Sequence, residues 1–332
     1  MNKNLIQTRK FKYYLKHSIS LIIPRLFFRI KMKYELKKIN NYNSKYLRSR
    51  VNYYNKIVEN FQLGEDAVNI DTLFNLQIEK FIDKIFKKKK IKKRTTYFFD
   101  LYNYLSYFPS FLKVRFKFGD ITENFSKPII VKSRPINNNT NSVLMKLNKV
   151  RHFYFLKDNI NFHEKKNKAV WRGNSNNSIA RLNFIKNYHN VSIFDVGQHN
   201  PKVNKPWFKG YMPISKQLNY KFIFCIEGAD TATNIKWVMS SNSLCVMPKP
   251  KYETWFMEGK LIKDFHYIEV EDDFSNAERK ILFYMKNIDK CLKIIENANC
   301  YTEQFKDPKL EKLISLLVLD KFFKKSNQKN GT

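Results

Sequence analysis

Cysteine is scarce in this sequence, and its spacing fits neither a disulfide framework nor a zinc site. The 332 residues include four cysteines, Cys225, Cys245, Cys291 and Cys300. None forms a CxxC pair, and each lies within or beside an apolar run. This usage argues against a disulfide-stapled or zinc-bound fold and favours a reduced, cytoplasmic setting.

Long apolar runs are also absent. The stretch "SLIIP" near the start is short and has charged neighbours on both sides, so no secretory signal is expected. No uncharged apolar stretch approaches the ~18 residues of a membrane-spanning helix. The sequence therefore predicts a protein that is soluble or peripheral at a membrane.

Acidic residues are few relative to basic ones. Asp and Glu number 29 against 62 Lys and Arg, which gives a net charge of +33. Residues 1–60 alone hold 15 basic and 2 acidic residues, a local charge of +13. Such an excess suits nucleic acid, anionic lipid or phosphorylated substrates, although AT-rich coding would also enrich Lys, Asn and Ile.

Hydrophobic residues are plentiful, at 43% of the chain with 16% aromatic. This content allows a substantial core and argues against wholesale disorder. A length of 332 residues is long for one domain and comfortable for two.

Residues 20–38 have the pattern of a basic amphipathic helix. Ile23, Phe27, Ile30 and Tyr34 recur at helical spacing, and basic residues flank this apolar face. Such a helix is typical of binding to an anionic membrane surface. The alternative is an ordinary surface helix of a folded domain.

Residues 86–105, "FKKKKIKKRTTYFFDLYNYL", join a basic run to an aromatic cluster. Cations interleaved with aromatics suit single-stranded nucleic acid, but no nucleic-acid-binding motif accompanies them. A solvated loop leading into an aromatic core element is the commoner explanation, so nucleic acid is not an expected partner.

The second half of the chain alternates short apolar runs with helical patterns. The predicted strands cover 168–171, 191–196, 220–226 and 243–247, and the predicted helices cover 178–189 and 231–241. This alternation predicts βαβ units and a parallel sheet. Right-handed crossovers would place the loops after the strands at one edge, where ligands of such sheets bind.

Two of these loops have the composition of a phosphate site, because glycine admits a ligand to the backbone and a helix amino terminus attracts anions. The first loop has Arg172 and Gly173, with Arg181 one turn into its helix. The candidates of the second loop are Gly228, Asp230, Thr231, Asn234 and Lys236. The alternative is that both loops merely terminate strands.

One acidic residue falls near the same edge of the predicted sheet. Glu253 follows the next strand and could accept both hydroxyls of a ribose. A carboxylate in the first turn of a helix is the alternative reading.

The segment "KAVWRG", together with the stretch from "KFIFCIEGADTATNIKW" to "HYIEVEDDFS", resembles glycosyltransferase family 90. The upstream stretch "IIVKSRPI…NSVLMKLNKVRHFYF" is similar to its bacterial, lipopolysaccharide-modifying branch. The resemblance implies a GT-B-like α/β fold with two Rossmann-like lobes, a parallel sheet in the C-terminal lobe and a basic helical N-terminal region. It also implies inverting transfer from a UDP-sugar without a metal or other cofactor.

The resemblance divides the chain into four parts. These are a basic helical region (1–60), an acceptor lobe (61–165), a nucleotide-sugar lobe (166–310) and a C-terminal helix packing back on the first lobe (311–332).

The same resemblance assigns roles to individual residues. Arg172 and Gly173 match the Arg-Gly loop of the family, Gly228 and Lys236 match its second phosphate loop, and Glu253 matches its acidic residue. Removing one donor at a developing charge commonly costs on the order of 3 kcal/mol, so Arg172→Ala is expected to lose about a hundredfold in turnover.

Two departures from the family pattern concern charge and catalysis. Animal members have an arginine where this chain has Asn234, and a catalytic aspartate where "NNNTNSVLMK" has no carboxylate. Asp120 is the nearest upstream candidate for the base that inverting transfer requires. Lys132, Arg134 and Arg151 are the expected acceptor-binding residues.

The sequence thus predicts a glycosyltransferase that acts on lipopolysaccharide or a related surface glycan. It would work in the cytoplasm, peripherally on the inner membrane, with the basic N-terminal region against anionic lipid. An inactive membrane-surface scaffold and a basic nucleic-acid-binding protein are the alternatives.

Overall fold

The computed structural model describes residues 3–75, 95–176, 178–200 and 205–328. The chain divides into two compact units. Unit 1 comprises Met1–Lys10 and Arg151–Lys306, and unit 2 comprises Phe11–Val150 and Asp307–Thr332.

Helices and strands alternate most regularly after residue 160. The α-helices are α1 (Lys3–Ile22), α2 (Arg25–Lys37), α3 (Ser44–Tyr54), α4 (Thr95–Leu105), α5 (Lys149–His152), α6 (Ile179–Tyr188), α7 (Ile214–Gln217), α8 (Ile235–Met239), α9 (Ala277–Lys286), α10 (Ile288–Glu303) and α11 (Pro308–Lys325). Residues 70–75 are also helical, and short 3-10 turns cover Lys38–Asn41, Phe162–Glu164 and Glu258–Lys260.

The strands are β1 (Val68–Asn69), β2 (Lys113–Val114), β3 (Phe116–Lys117), β4 (Ile129–Val131), β5 (Ser133–Pro135), β6 (Ser142–Leu144), β7 (Lys166–Gly173), β8 (Phe194–Gln198), β9 (Tyr220–Phe224), β10 (Leu244–Pro248), β11 (Tyr252–Thr254) and β12 (Ile268–Val270).

Unit 1 is built on a five-stranded parallel sheet with the order β12-β10-β9-β7-β8. All four predicted strands are present, with ends that differ by a few residues. The central strand β9, "YKFIF", is buried along its whole length, as expected for a parallel strand covered on both faces. The prediction of βαβ units and a parallel sheet is therefore confirmed.

The order of the strands places two loops at the centre of one edge. β7 pairs with β8 on one side and with β9 on the other, while β9 pairs onward with β10. The connection that leaves β7 therefore runs toward one edge strand of the sheet, β8, and the connection that leaves β9 runs in the opposite direction, toward β10 and β12. In open α/β sheets this reversal opens a crevice at the carboxyl ends of the strands, where ligands bind.

The helix after β7 is the one that the sequence predicts. α6 begins after Ser178, whose hydroxyl accepts a hydrogen bond from the backbone N–H of Arg181 at 3.4 Å. Phe184 of α6 is fully buried against the sheet, and its ring contacts the rings of Trp171, Tyr188, Phe194, Phe224 and Phe274. This aromatic cluster is the centre of a core to which α9 and α10 also contribute.

The helix after β9 is shorter than predicted. α8 covers Ile235–Met239 rather than 231–241. The side-chain amide of Asn234 donates to the carbonyl oxygen of Phe224 at 2.9 Å, and the N–H of Gly228 donates to the carbonyl oxygen of Asp230 at 3.0 Å. Local bonds of this kind compete with helix formation, so residues 228–234 form an irregular loop.

Unit 2 contains a three-stranded parallel sheet, β3-β4-β6, and an antiparallel pair, β1-β2. Helix α11 packs against α3 and α4. Buried charges join the first two of these helices, since Glu311 of α11 accepts from Arg50 of α3 at 2.8 Å and from Lys146 at 2.6 Å. Helix α4 begins at Thr95 and its aromatic residues are largely buried, which confirms the aromatic core element; residues 86–94 of the basic run lie outside the described residues.

Among the helices of the described residues, none has the length and apolar composition needed to cross a membrane.

Candidate active site

The first loop follows β7 and is held close to the sheet. A Cβ on Gly173 would lie 2.4 Å from the ring of Trp171, so only glycine fits without moving the indole. The backbone N–H of Ser175 donates to Oε1 of Gln198 at 2.8 Å, and Nε2 of Gln198 donates to Oδ1 of Asn176 at 3.1 Å. Buried Gln198 of β8 therefore fixes the loop.

Arg172 lies on the side of β7 that faces Asp195. Its guanidinium donates to Oδ1 of Asp195 at 2.6 Å and to the Asp195 carbonyl oxygen at 2.7 Å. The hydroxyl of Tyr220 donates to the same carboxylate. These contacts hold the pKa of Asp195 down to about 2, although burial opposes the shift. Arg172 thus has a carboxylate partner within the protein, which it shares with Lys209 at 3.4 Å; the sequence did not predict this pairing.

The second loop follows β9 and turns at Gly228. Asp230 and Thr231 are buried, and neither stands at the start of α8, where Asn234 is found. Neither Asp230 nor Thr231 therefore caps α8. Within the described part of the chain, the buried hydroxyl oxygen of Thr231 has no hydrogen-bond partner.

Arg181 of α6 connects the two loops. Its guanidinium donates to the carbonyl oxygen of Asn174 in the first loop at 3.1 Å. Nε and a terminal nitrogen donate to the carbonyl oxygen of Ile226, at the start of the second loop, at 3.1 and 2.8 Å. Its guanidinium also lies 5.9 Å from the ring of Trp171.

The surroundings of Arg181 combine burial with charges of both signs. Burial lowers the pKa of its guanidinium, and the nearby cation of Arg151 acts in the same direction. Asp230 and Glu227 oppose that shift. All of the hydrogen bonds described above go to carbonyl oxygens, so no carboxylate is bonded to this cation as Asp195 is to Arg172.

Gly228 gives Arg181 its room. A Cβ at this position would meet the guanidinium at 3.0–3.1 Å, which is tighter than ordinary contact. The glycine of the second loop and the arginine of the first helix are therefore one packed unit, although 47 positions separate them.

Lys236 is fully buried in a pair with Glu258. Its Nζ lies 2.6 Å from Oε1 of Glu258, and rings of Phe153 and Phe256 lie 5.7 and 5.3 Å away. Glu258 also accepts from the N–H and hydroxyl of Thr254 at 2.6 and 2.9 Å. Lys236 is therefore an interior residue of α8 rather than a surface residue of the second loop.

Glu227 is a residue of the site that sequence reasoning missed. Its Oε1 accepts the backbone N–H groups of Lys251 and Tyr252 at 3.1 and 3.3 Å, which ties the second loop to the segment after β10. Burial, with a contribution from Glu258, raises the pKa of Glu227 to about 7. The available signal was an acid placed between a buried strand and a glycine. Glu253 lies nearby in the chain, on β11, and is buried.

Comparison with known proteins identifies the family to which these loops belong. The model of "Glycosyl transferase family 90" matches residues 143–311, which include both loops, Arg181 and Glu253. The chain is also 37% identical to "O-glucosyltransferase LpsA" of Dichelobacter nodosus over 322 residues, 96% of each chain.

The chain belongs to glycosyl transferase family 90. It is therefore a glycosyltransferase. The family resemblance read from the sequence is confirmed. In unit 2 the family model matches only residues 143–150 and 307–311. The similarity to the relative covers 96% of the chain and so extends through most of unit 2.

The residues expected to act on the acceptor have unequal surroundings. In unit 2, Asp120 accepts from buried Lys132 at 2.5 Å. Arg134 is fully buried and donates to the carbonyl oxygens of Tyr53, Tyr54 and Ser142, as a structural arginine does. Arg151 is exposed in unit 1. The catalytic role of Asp120 and the acceptor roles of these three basic residues stay predictions.

No group of three or more His, Cys, Asp or Glu side chains is placed to hold a metal ion among residues 3–75, 95–176, 178–200 and 205–328. The acidic run at 271–273 has other contacts. Asp272 pairs with Lys251 at 2.8 Å, and Asp273 accepts the backbone N–H of Ser275 at 2.9 Å.

Proposed function

We propose that this glycosyltransferase transfers a glucosyl group from UDP-glucose to lipopolysaccharide or a related surface glycan, with inversion at the anomeric carbon. The observation that carries the proposal is the position of Arg181, whose guanidinium connects the two central loops at the carboxyl edge of the sheet. The relative described as an O-glucosyltransferase supports the choice of glucose as the transferred sugar.

The site has the charge that a nucleotide diphosphate requires. Arg181 is the one of the two loop arginines whose hydrogen bonds go to neutral carbonyls, so its charge is available to an anion. Arg151 adds a second positive charge close enough to affect the pKa of Arg181. The buried hydroxyl of Thr231 lies in the second loop, where it can donate to a phosphate oxygen.

These groups suit the departure of UDP. Cleavage of the glycosidic bond moves negative charge onto the diphosphate, and fixed donors aimed at that charge lower the barrier. Here the donors are held in advance, because Gly228 packs against Arg181 and Gln198 fixes the first loop. We propose that Arg181 and Arg151 together take the place of a divalent cation, so that transfer needs no metal or other cofactor.

Inverting transfer also needs a base for the acceptor hydroxyl as the anomeric carbon is attacked. We propose Asp120, whose side chain is 36% exposed and so can meet an acceptor. Its partner Lys132 would hold the carboxylate in place. We also propose a GT-B-like fold, which the division of the chain into two compact units supports, and we propose that unit 1 binds the donor. Ribose recognition by Glu253 belongs to the same proposal.

Donor binding is tested by the thermal stability of the full chain with UDP, UDP-glucose, UDP-galactose and GDP-mannose. A ligand at one hundred times its dissociation constant adds about 2.7 kcal/mol, so UDP and UDP-glucose should raise Tm clearly in buffer containing EDTA. An equal response to GDP-mannose, or none to UDP, contradicts the assignment.

Transfer is tested with UDP-glucose and lipopolysaccharide from which terminal glucose has been removed. Release of UDP should depend on the acceptor and persist in EDTA, and the product should carry the anomeric configuration opposite to that of the donor. Donor binding without acceptor-dependent turnover would instead favour a scaffold that has lost catalysis.

A further inference from the structure

Exposed apolar side chains are concentrated on the first two helices. Of the eighteen large apolar residues that are exposed in the described part of the chain, eight fall between positions 11 and 34. They are Phe11, Leu15, Ile19 and Ile22 of α1 and Leu26, Phe27, Ile30 and Tyr34 of α2. Side chains three or four positions apart share a helix face, so each helix presents an apolar face to solvent.

The opposite side of each helix is packed, so this exposure is a fixed property of the fold. Tyr13 of α1 donates to buried Asp100 at 2.8 Å, and the ring of His17 stacks on Phe99 with a centroid distance of 5.7 Å. In α2, Phe28 is buried against Tyr107. With one face held by these contacts, the outer side chains cannot turn inward; Ile22 is 84% exposed.

Positive charge accompanies the apolar faces. Lys12, Lys16, Arg29, Lys33 and Lys37 are exposed on the same two helices. Glu35 is the one acidic residue between positions 1 and 38, and it is buried and paired with Lys38 and Lys312 at 2.6 and 2.7 Å. The surface formed by α1 and α2 is therefore both apolar and uniformly cationic.

We infer that this α1–α2 surface binds an anionic lipid bilayer in the plane of the interface. Aliphatic side chains enter the acyl boundary while flanking cations meet lipid headgroups. A second copy of the chain fits less well, because each copy has a net charge of +33. Nucleic acid would use the cations but not Leu15, Ile19 and Ile22, since bases stack on aromatic rings.

This inference stands apart from the proposed sugar transfer, and its test uses no donor or acceptor. The full chain is mixed with phosphatidylcholine vesicles that contain none or 30% phosphatidylglycerol, and the bound fraction is measured by flotation. Binding should be strong only with the anionic lipid, and partial loss in 0.5 M NaCl should reflect screening of the surface charges.

Two triple variants separate the apolar and ionic contributions. F11Q/I22Q/F27Q removes buried apolar area, and K12Q/R29Q/K33Q removes three cations. Each cation near anionic lipid contributes about fivefold, so the second variant should bind about a hundredfold more weakly, and the first should lose at least as much.

Matched controls carry the same chemical changes elsewhere. L282Q/F283Q/L292Q alters exposed apolar residues of α9 and α10, and K186Q/K290Q/K309Q removes exposed lysines. Both should bind vesicles as the unaltered chain does. Circular dichroism and thermal melting confirm that each variant is folded.

Three outcomes overturn the inference. The first is equal loss of binding in the α1–α2 variants and their controls, which would show general electrostatic attraction. The second is no difference between neutral and anionic vesicles. The third is a dimer in analytical ultracentrifugation that F11Q/I22Q/F27Q dissociates while vesicle binding is absent throughout, which would assign the surface to a second copy.

Discussion

The two loop arginines should respond differently to removal, because their charges have different partners. Arg172 is bonded to the carboxylate of Asp195, whereas Arg181 donates to the carbonyl oxygens of Asn174 and Ile226. Substitution by Met preserves most of the aliphatic volume of each side chain and removes the guanidinium. The sequence led us to expect a hundredfold loss of turnover on removal of Arg172. Because of the different partners of the two arginines, we now expect the larger loss on removal of Arg181.

For Arg181→Met we expect kcat to fall by about 10²–10³, the effect of removing one donor to a developing anion. The stability cost should be modest. The carbonyl of exposed Asn174 can be hydrated, while that of buried Ile226 is left unsatisfied, at about 1–3 kcal/mol. For Arg172→Met we expect the reverse balance, with a loss of about 1.5–3 kcal/mol from the charged hydrogen bonds to Asp195 and kcat reduced by less than about tenfold.

The assay is initial-rate UDP release at saturating donor, with unfolding in urea measured on the same preparations. Gly228→Ala offers an independent check, because its Cβ would press on the Arg181 guanidinium at 3.0–3.1 Å and should reproduce part of the kinetic defect. Equal kcat values for the two Met variants, or full turnover in Arg181→Met, would refute the assignment of the diphosphate charge to Arg181.

Three further variants test how the site is supported. Glu227→Gln keeps both backbone hydrogen bonds through one oxygen but cannot ionise. In the unaltered chain the pKa of Glu227 is about 7 in the folded state, above the ordinary 4.5. The folded state therefore binds the extra proton, and the stability of the unaltered chain falls as pH rises from about 4.5 to 7. The Tm of the Gln variant should therefore match the unaltered chain near pH 4.5 and exceed it at pH 8, and a pH-independent difference would contradict the burial argument. Lys236→Met should cost about 3–5 kcal/mol by leaving Glu258 buried and unpaired, and the double variant with Glu258→Gln should recover part of that loss in urea unfolding; no recovery would mean that Lys236 acts through other contacts. Gly173→Ala should lower Tm by displacing the Trp171 ring, with a blue- or red-shifted tryptophan emission as the direct readout, and an unchanged spectrum and Tm would show that the loop relaxes freely.

Four of the five strands of the unit 1 sheet were predictable because each contains a short apolar run bounded by loop residues; β12 was not predicted. β9, "YKFIF", is buried throughout, as expected of a mainly apolar run in the middle of a parallel sheet. The ends of the predicted strands gave the positions of the two loops in the sequence. The parallel topology then predicted that both loops lie at the same edge of the sheet. What failed was the helix after β9, where Asn234 bonds back to Phe224 and shortens α8 to Ile235–Met239.

The partners of the charged side chains were not predictable, because they depend on register between segments distant in the chain. Asp195 reaches Arg172 only because β7 and β8 pair with Val170 opposite Asp195. Likewise, the sequence gives no sign that Lys236 is fully buried, with Glu258, 22 positions away, as its partner. Nothing local in the sequence distinguishes Arg172 from Arg181, although the structure gives them different surroundings.

The division of the chain sets an order for its folding during synthesis. Unit 2 takes its last helix from residues that follow unit 1, and Glu311 of that helix satisfies Arg50 and Lys146. Ribosomes add about 5–20 residues per second, so these two cations wait many seconds for their carboxylate. A nascent chain halted before Asp307 would contain all five strands of the unit 1 sheet, while unit 2 would still lack α11 and the carboxylate of Glu311.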